Sequence, residues 1–100
     1  MHIISIKMLR EFWRKHPDAE SALRQWHSIV EHTDFRDFGH IRQFFNSADY
    51  VPPYVVFDVA GNNYRVVVVA QYRAKRVYVR EVMTHREYDD WCKLYRKGKV

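Results

Sequence analysis

Four residues in the C-terminal half have side chains suited to phosphodiester chemistry: Arg65, Arg80, His85 and Tyr88. Arg65 follows Gly61-Asn62-Asn63-Tyr64 and opens the apolar run Val66-Val67-Val68-Val69-Ala70. Arg80 interrupts Val77-Tyr78-Val79, and Thr84-His85-Arg86-Glu87-Tyr88-Asp89 follows where that second run ends. A guanidinium presents a planar fork of donors that matches phosphate oxygens. Histidine takes or gives a proton near neutral pH. Tyr88, three residues after His85 on the first turn of a helix, points the same way and can stack on a base or hydrogen-bond a phosphate. Between the two runs, Arg73, Lys75 and Arg76 form a basic turn whose side chains can reach a nucleic-acid backbone.

Each residue also has a plainer reading. Arg65 can pair with Asp58 across a hairpin, and Arg80 with Glu81 or Glu87. His85 can cap a helix or stand in solvent, and Tyr88 can pack that helix onto the sheet. The basic turn can be a solvated hairpin tip. Asn62 reads as a turn residue first. Spacing alone does not separate these alternatives.

The elements that position these groups follow from periodicity. His2 to Ile6 is short and β-prone. Met8, Leu9, Phe12, Trp13 and His16 recur at helical spacing until Pro17, whose predecessor disfavours the helical region. Pro17 also suits the first turn of a second helix, with Asp18 and Glu20 near its positive end and Ala19, Ala22, Leu23, Trp26, Ile29 and Val30 in one stripe. The two helices form a hairpin. Asp37 caps a short helix over Phe38–Phe45, and Asn46 to Pro53 reads as a loop. A meander then runs through strands over Tyr54–Val59, Tyr64–Tyr72 and Val77–Met83. A last helix from His85 or Arg86 to about Arg96 buries Trp91 with Leu94 or Tyr95.

If Gly61-Asn62 and Ala74-Lys75 are two-residue loops, Asp58 lies opposite Arg65, Val69 opposite Arg80 and Arg65 opposite Thr84. Alternation then places Val55, Phe57, Val59, Tyr64, Val66, Val68, Ala70, Val77 and Val79 on one apolar face, which the N-terminal helices cover. Glu81 falls on that face as well, at its rim. The other face is mixed: Tyr54, Val56, Asp58, Arg65, Val67, Val69, Gln71, Tyr78, Arg80 and Val82. A one-residue slip would exchange the faces of a strand.

Composition bounds the rest. A chain of 100 residues that is 47% hydrophobic supports one domain spanning 1–100 and excludes a disordered tail. The net charge of +5 favours phosphate-rich or acidic partners. The single Cys92 excludes an internal disulfide and a cysteine zinc site. His2, His16, His27, His32 and His40 lack metal spacing, so no metal and no cofactor is expected. No stretch reads as a signal peptide or membrane span, and a cytoplasmic protein is expected.

Taken in order, Gly61-Asn62-Asn63-Tyr64-Arg65 and Val77 to Asp89, with the Trp26 pattern and Val55-Val56-Phe57, resemble the HigB-type toxins of bacterial toxin–antitoxin pairs. These belong to the wider RelE-like group of ribosome-dependent mRNA endonucleases. The resemblance implies an α+β fold, a small, mainly antiparallel sheet with the N-terminal helices packed on one face. It implies cleavage of mRNA on the ribosome and a cognate HigA-type helix-turn-helix antitoxin. It carries site roles to Arg65, Arg80, His85 and Tyr88, and gives Asn62 a lesser functional claim.

With no metal, the mRNA's own 2′-hydroxyl is the expected nucleophile, leaving a 2′,3′-cyclic phosphate and a 5′-hydroxyl. Charge stabilisation falls to Arg65 and Arg80, and proton transfer to His85. Tyr88 orients the substrate or shares that transfer. RNA contacts fall to Arg73, Lys75 and Arg76. The competing expectation is a non-catalytic basic module that binds RNA or an acidic protein.

Overall fold

The computed structural model describes residues 1–100. The chain runs through β1 (His2–Ile4), α1 (Ile6–Lys15), a 3-10 turn (Pro17–Ala19) and α2 (Glu20–Glu31). It continues through α3 (Phe38–Phe44), β2 (Asp49–Val51), β3 (Tyr54–Val59), β4 (Tyr64–Gln71), β5 (Arg76–Thr84) and α4 (His85–Arg96). The strands lie in the order β1-β5-β4-β3-β2. Every pairing is antiparallel except β1 on β5. The fold is α+β, as expected.

Local chemistry sets most boundaries. Ser5 takes a left-handed conformation (φ 82°) between β1 and α1, so the first strand ends at Ile4 rather than Ile6. Pro17 stops α1 and opens the turn into α2. The Asp37 carboxylate accepts a hydrogen bond from the His40 amide at 2.8 Å and starts α3. Thr84 caps α4 in a reciprocal box with Glu87: the Glu87 amide donates to Thr84 Oγ1 (3.1 Å) and the Thr84 amide to Glu87 Oε1 (2.9 Å).

The helices α1, α2 and α3 cover one face of the sheet. Leu9, Leu23, Trp26, Val30 and Ile41 bury there against Val55, Phe57, Val66, Val68, Val77 and Val79. Trp26 and Phe45 both meet the Phe57 ring edge-on, with centroids 5.4 and 5.0 Å away. On the opposite face α4 lies over Val56, Val67 and Met83 through Trp91, with Tyr54, Tyr88 and Tyr95 around it. The Tyr95 hydroxyl donates to the Pro52 carbonyl at 2.6 Å and ties the end of α4 to the β2–β3 turn. Leu94 is exposed, so Trp91 and Tyr95 make the contact.

Two expectations are corrected. The segment expected as a loop contains β2, a three-residue edge strand paired with β3 (Tyr50 opposite Val55). Its brevity and the following Pro52-Pro53 hide it from periodicity. The β3–β4 register matches, with Asp58 opposite Arg65, but the β4–β5 register does not. Residues 72 to 75 form a four-residue loop closed by Gln71 opposite Arg76, with Lys75 left-handed (φ 56°). A bulge then intervenes: Val68 pairs with Val79 and Val67 with Glu81, leaving Arg80 as the extra residue. Beyond it the faces of β5 exchange. Glu81 and Met83 turn toward α4, and Val82 turns toward the helical core. This removes the carboxylate that the simple alternation placed on the apolar face.

Candidate active site

The site forms where β4 begins and β5 ends. Tyr64 and Thr84 are paired there, so the residue after each, Arg65 and His85, starts from the same end of the sheet. The His85 amide donates to the Asn63 carbonyl at 2.9 Å, which pins the β3–β4 turn to the start of α4. From the helical side, the Tyr64 hydroxyl donates to both Asp18 oxygens at 2.7 and 2.8 Å. That bond raises the Tyr64 phenol above its usual range, so it stays protonated. The first residues of β4 are therefore fixed from both faces.

Arg65 is the one buried charged residue, 7% exposed. Its Nε pairs with Asp58 Oδ1 at 2.9 Å in an ion pair. One terminal nitrogen donates to the Asn62 and Tyr64 carbonyls, both at 3.1 Å. The other donates to Asn62 Oδ1 at 2.7 Å and meets His85 Nδ1 in a long contact of 3.5 Å. The cation also lies over the Tyr88 ring, 5.4 Å from its centroid. Burying a charge is costly unless it is paired and hydrogen-bonded, and Arg65 is both.

His85 is more than half exposed, and its outward Nε2 lies 4.0 Å from Asp89 Oδ2, one helical turn on. Tyr88 stacks on Trp91 at 5.8 Å with planes 18° apart. Its ring therefore carries protein on both counts, and its hydroxyl is the end that can meet a ligand. Burial pushes the Tyr88 phenol far above its usual range, with the Cys92 thiol and the Asp49 carboxylate adding to the shift and Arg65 opposing it. The hydroxyl keeps its proton at neutral pH. A cavity of about 330 Å³ opens beside Arg65 and Tyr88, lined also by Arg42, Ser47, Asp49 and Asp58.

The structure thus brings Arg65, His85 and Tyr88 together. It places Arg80 elsewhere: at the bulge, exposed, on a separate cavity of about 460 Å³ with Tyr54, Val69, Glu81 and Trp91. No hydrogen bond or ion pair joins Arg80 to Arg65 or His85. Arg73, Lys75 and Arg76 stand at the exposed β4–β5 tip, at the far end of both strands from His85, and Lys75 pairs with Asp34 at 3.5 Å. Arg65 lies opposite Met83 rather than Thr84, yet the contact with His85 survives the one-residue difference. Periodicity gave no role to Asn62's side chain; its signal was the turn motif itself.

Residues 19–91 match the family model described as HigB toxin, the RelE-like toxic component of a toxin–antitoxin system. The chain belongs to the HigB toxin family. A relative from Escherichia coli O6:H1, named mRNA interferase HigB, is 35% identical over 99% of both chains. The mRNA interferase toxin HigB of Escherichia coli K12 and the mRNA interferase HigB of Shigella flexneri are each 34% identical over the same share. The HigB match spans Asn62, Arg65, Arg80, His85 and Tyr88, so every residue of the Arg65 network falls within the family region. No helix of this HigB-family chain is long and apolar enough to cross a membrane.

Proposed function

We propose that this chain is a ribosome-dependent endoribonuclease that arrests translation by cutting mRNA, acting in the cytoplasm. The relatives' names support mRNA as the target. The observation that carries the reading is the contact of a buried, fully paired Arg65 with the exposed His85. A cation held in place behind a solvent-facing imidazole is a device for handling charge and hydrogen at a phosphate.

In the proposed reaction the 2′-oxygen bonds phosphorus as its proton leaves, the bond to the 5′-oxygen breaks, and that oxygen gains a proton. The products are a 2′,3′-cyclic phosphate and a 5′-hydroxyl. His85 meets the reacting group, and the protonated Tyr88 hydroxyl donates to a phosphate oxygen. Arg65 adds positive charge and position from beneath, since its donors are engaged within the protein. Arg80 and the tip residues Arg73, Lys75 and Arg76 contact RNA away from the scissile bond. The chemistry uses no metal ion, because the histidines lack ligand spacing and the 2′-hydroxyl is an internal nucleophile.

The partner is a HigA-type antitoxin with a helix-turn-helix domain, encoded beside this gene. Tightly controlled expression of the chain tests the whole reading. Growth arrest with new 5′ ends inside translated mRNA, relieved by co-expressing the neighbouring protein, is the expected result. Arrest without mRNA cutting, or no arrest, contradicts it.

A further inference from the structure

We infer that Asn62 and Asp58 are positioning residues: they hold Arg65 so that it donates to His85 Nδ1, which leaves the imidazole hydrogen on the outward Nε2. This rests on the reading of His85 as the group that meets the scissile phosphate.

A guanidinium has five N–H donors and no acceptor. The four on its terminal nitrogens are directed to the Asn62 and Tyr64 carbonyls, to Asn62 Oδ1 and toward His85 Nδ1, and the Nε edge pairs with the Asp58 carboxylate. Asn62 takes two of them, and its side chain makes the shortest contact, at 2.7 Å. Asp58 fixes the opposite edge of the group, so the guanidinium cannot rotate about its stem. The same turn also holds the imidazole's backbone, through the Asn63 carbonyl and the His85 amide. Ala60 and Gly61, both left-handed (φ 53° and 68°), curl the turn. One four-residue loop thereby sets both ends of the Arg65–His85 contact.

The consequence for His85 follows from donor chemistry. Arg65 can only donate, so Nδ1 presents its lone pair, and a neutral imidazole then carries its hydrogen on Nε2. Asp89 lies at 4.0 Å, beyond hydrogen-bond distance, and leaves that hydrogen free for substrate. His85 therefore meets RNA as a hydrogen-bond donor to an oxygen of the phosphate. While the contact holds, Nε2 does not accept the 2′-proton.

The test pairs spectroscopy with kinetics on the full chain. Long-range nitrogen–proton NMR of the neutral imidazoles, assigned by loss of signal in His85→Gln, reads the tautomer. Cleavage of a defined mRNA on ribosomes reads kcat and KM. We expect Nε2–H in the parent. Asn62→Ala should give mixed tautomers and a kcat lower by about tenfold or more with KM little changed, a part of what a well-placed proton-handling group supplies. Asn62→Asp, which keeps the acceptor oxygen, should restore both. Asp58→Asn should act in the same direction as Asn62→Ala without unfolding the chain. An Nδ1–H tautomer in the parent overturns the inference. So do Asn62→Ala and Asp58→Asn variants that keep both tautomer and kcat. If the parent cuts no mRNA, the ribonuclease reading fails, and the spectra alone still decide the tautomer.

Discussion

The two faces of the sheet are built to different ends. The face under α1, α2 and α3 belongs to a core of 18 buried hydrophobic residues, whereas the α4 face buries only Val56, Val67, Met83 and Trp91. The one buried charged side chain, Arg65, sits on the thin side. Hydrophobic burial scales with area, so the thick side carries most of the stability. The thin side can then hold a paired cation and an exposed histidine. Adjacent residues on β3 show the division: Phe57 packs under Trp26 and Phe45, and Asp58 turns the other way to Arg65.

The sharpest break of this comparison is Phe57→Ala. It should lower stability by ~3–5 kcal/mol, read by denaturant unfolding, and remove activity only through unfolding. Trp91→Ala is its counterpart on the thin side; faster amide exchange there should stay within α4. If both substitutions melt the whole chain equally, the two faces are not separable.

Arg65→Ala comes next. It should slow mRNA cleavage roughly a hundredfold or more, the scale of a lost transition-state contact of ~2.7–4 kcal/mol. Its cost to the fold should be smaller, because the Asp58 it leaves behind is partly exposed and can be hydrated. Unchanged cleavage would make Arg65 a purely structural ion pair.

A smaller effect should follow Thr84→Ala, which removes one half of the α4 cap. A loss of about 1 kcal/mol in a thermal or urea melt is expected, with the site loosened because His85 is the first residue of α4. No change in stability would show that Glu87 and the Asn63 carbonyl suffice to hold the helix start.

The gentlest probe is alkali. Tyr64, Tyr72 and Tyr88 all ionise later than free phenols: the bond to Asp18 raises the first, and burial the other two. A raised folded-state value means stability present in full below the ordinary phenol pKa, about 10, and lost as pH rises through the folded values. The phenolate absorbance of these three should therefore appear late and together with unfolding. Early ionisation of Tyr64, Tyr72 and Tyr88, with the fold intact, would contradict the packing.

Much of this was legible in the residues. Gly61-Asn62 fixed the first hairpin and set Asp58 opposite Arg65, and Pro17 and Asp37 marked two helix starts. The bulge was not legible, because one unpaired residue leaves no signature in an alternating run. It set Arg80 beside Val67 and Val68 rather than opposite Val69, and turned Glu81 and Val82 to the opposite faces. The saturation of Arg65 was equally hidden. A guanidinium in a sequence looks like a free phosphate fork, whereas in the fold its donors are taken by Asp58, Asn62 and Tyr64.

The most direct test is cleavage of a defined mRNA on purified ribosomes by the parent chain and by a His85→Ala variant of equal melting temperature. The account predicts cuts ending in a 2′,3′-cyclic phosphate for the parent and a rate lower by about a hundredfold or more for the variant. A variant that cuts at the parent's rate, or a parent that leaves translated mRNA intact, would contradict it.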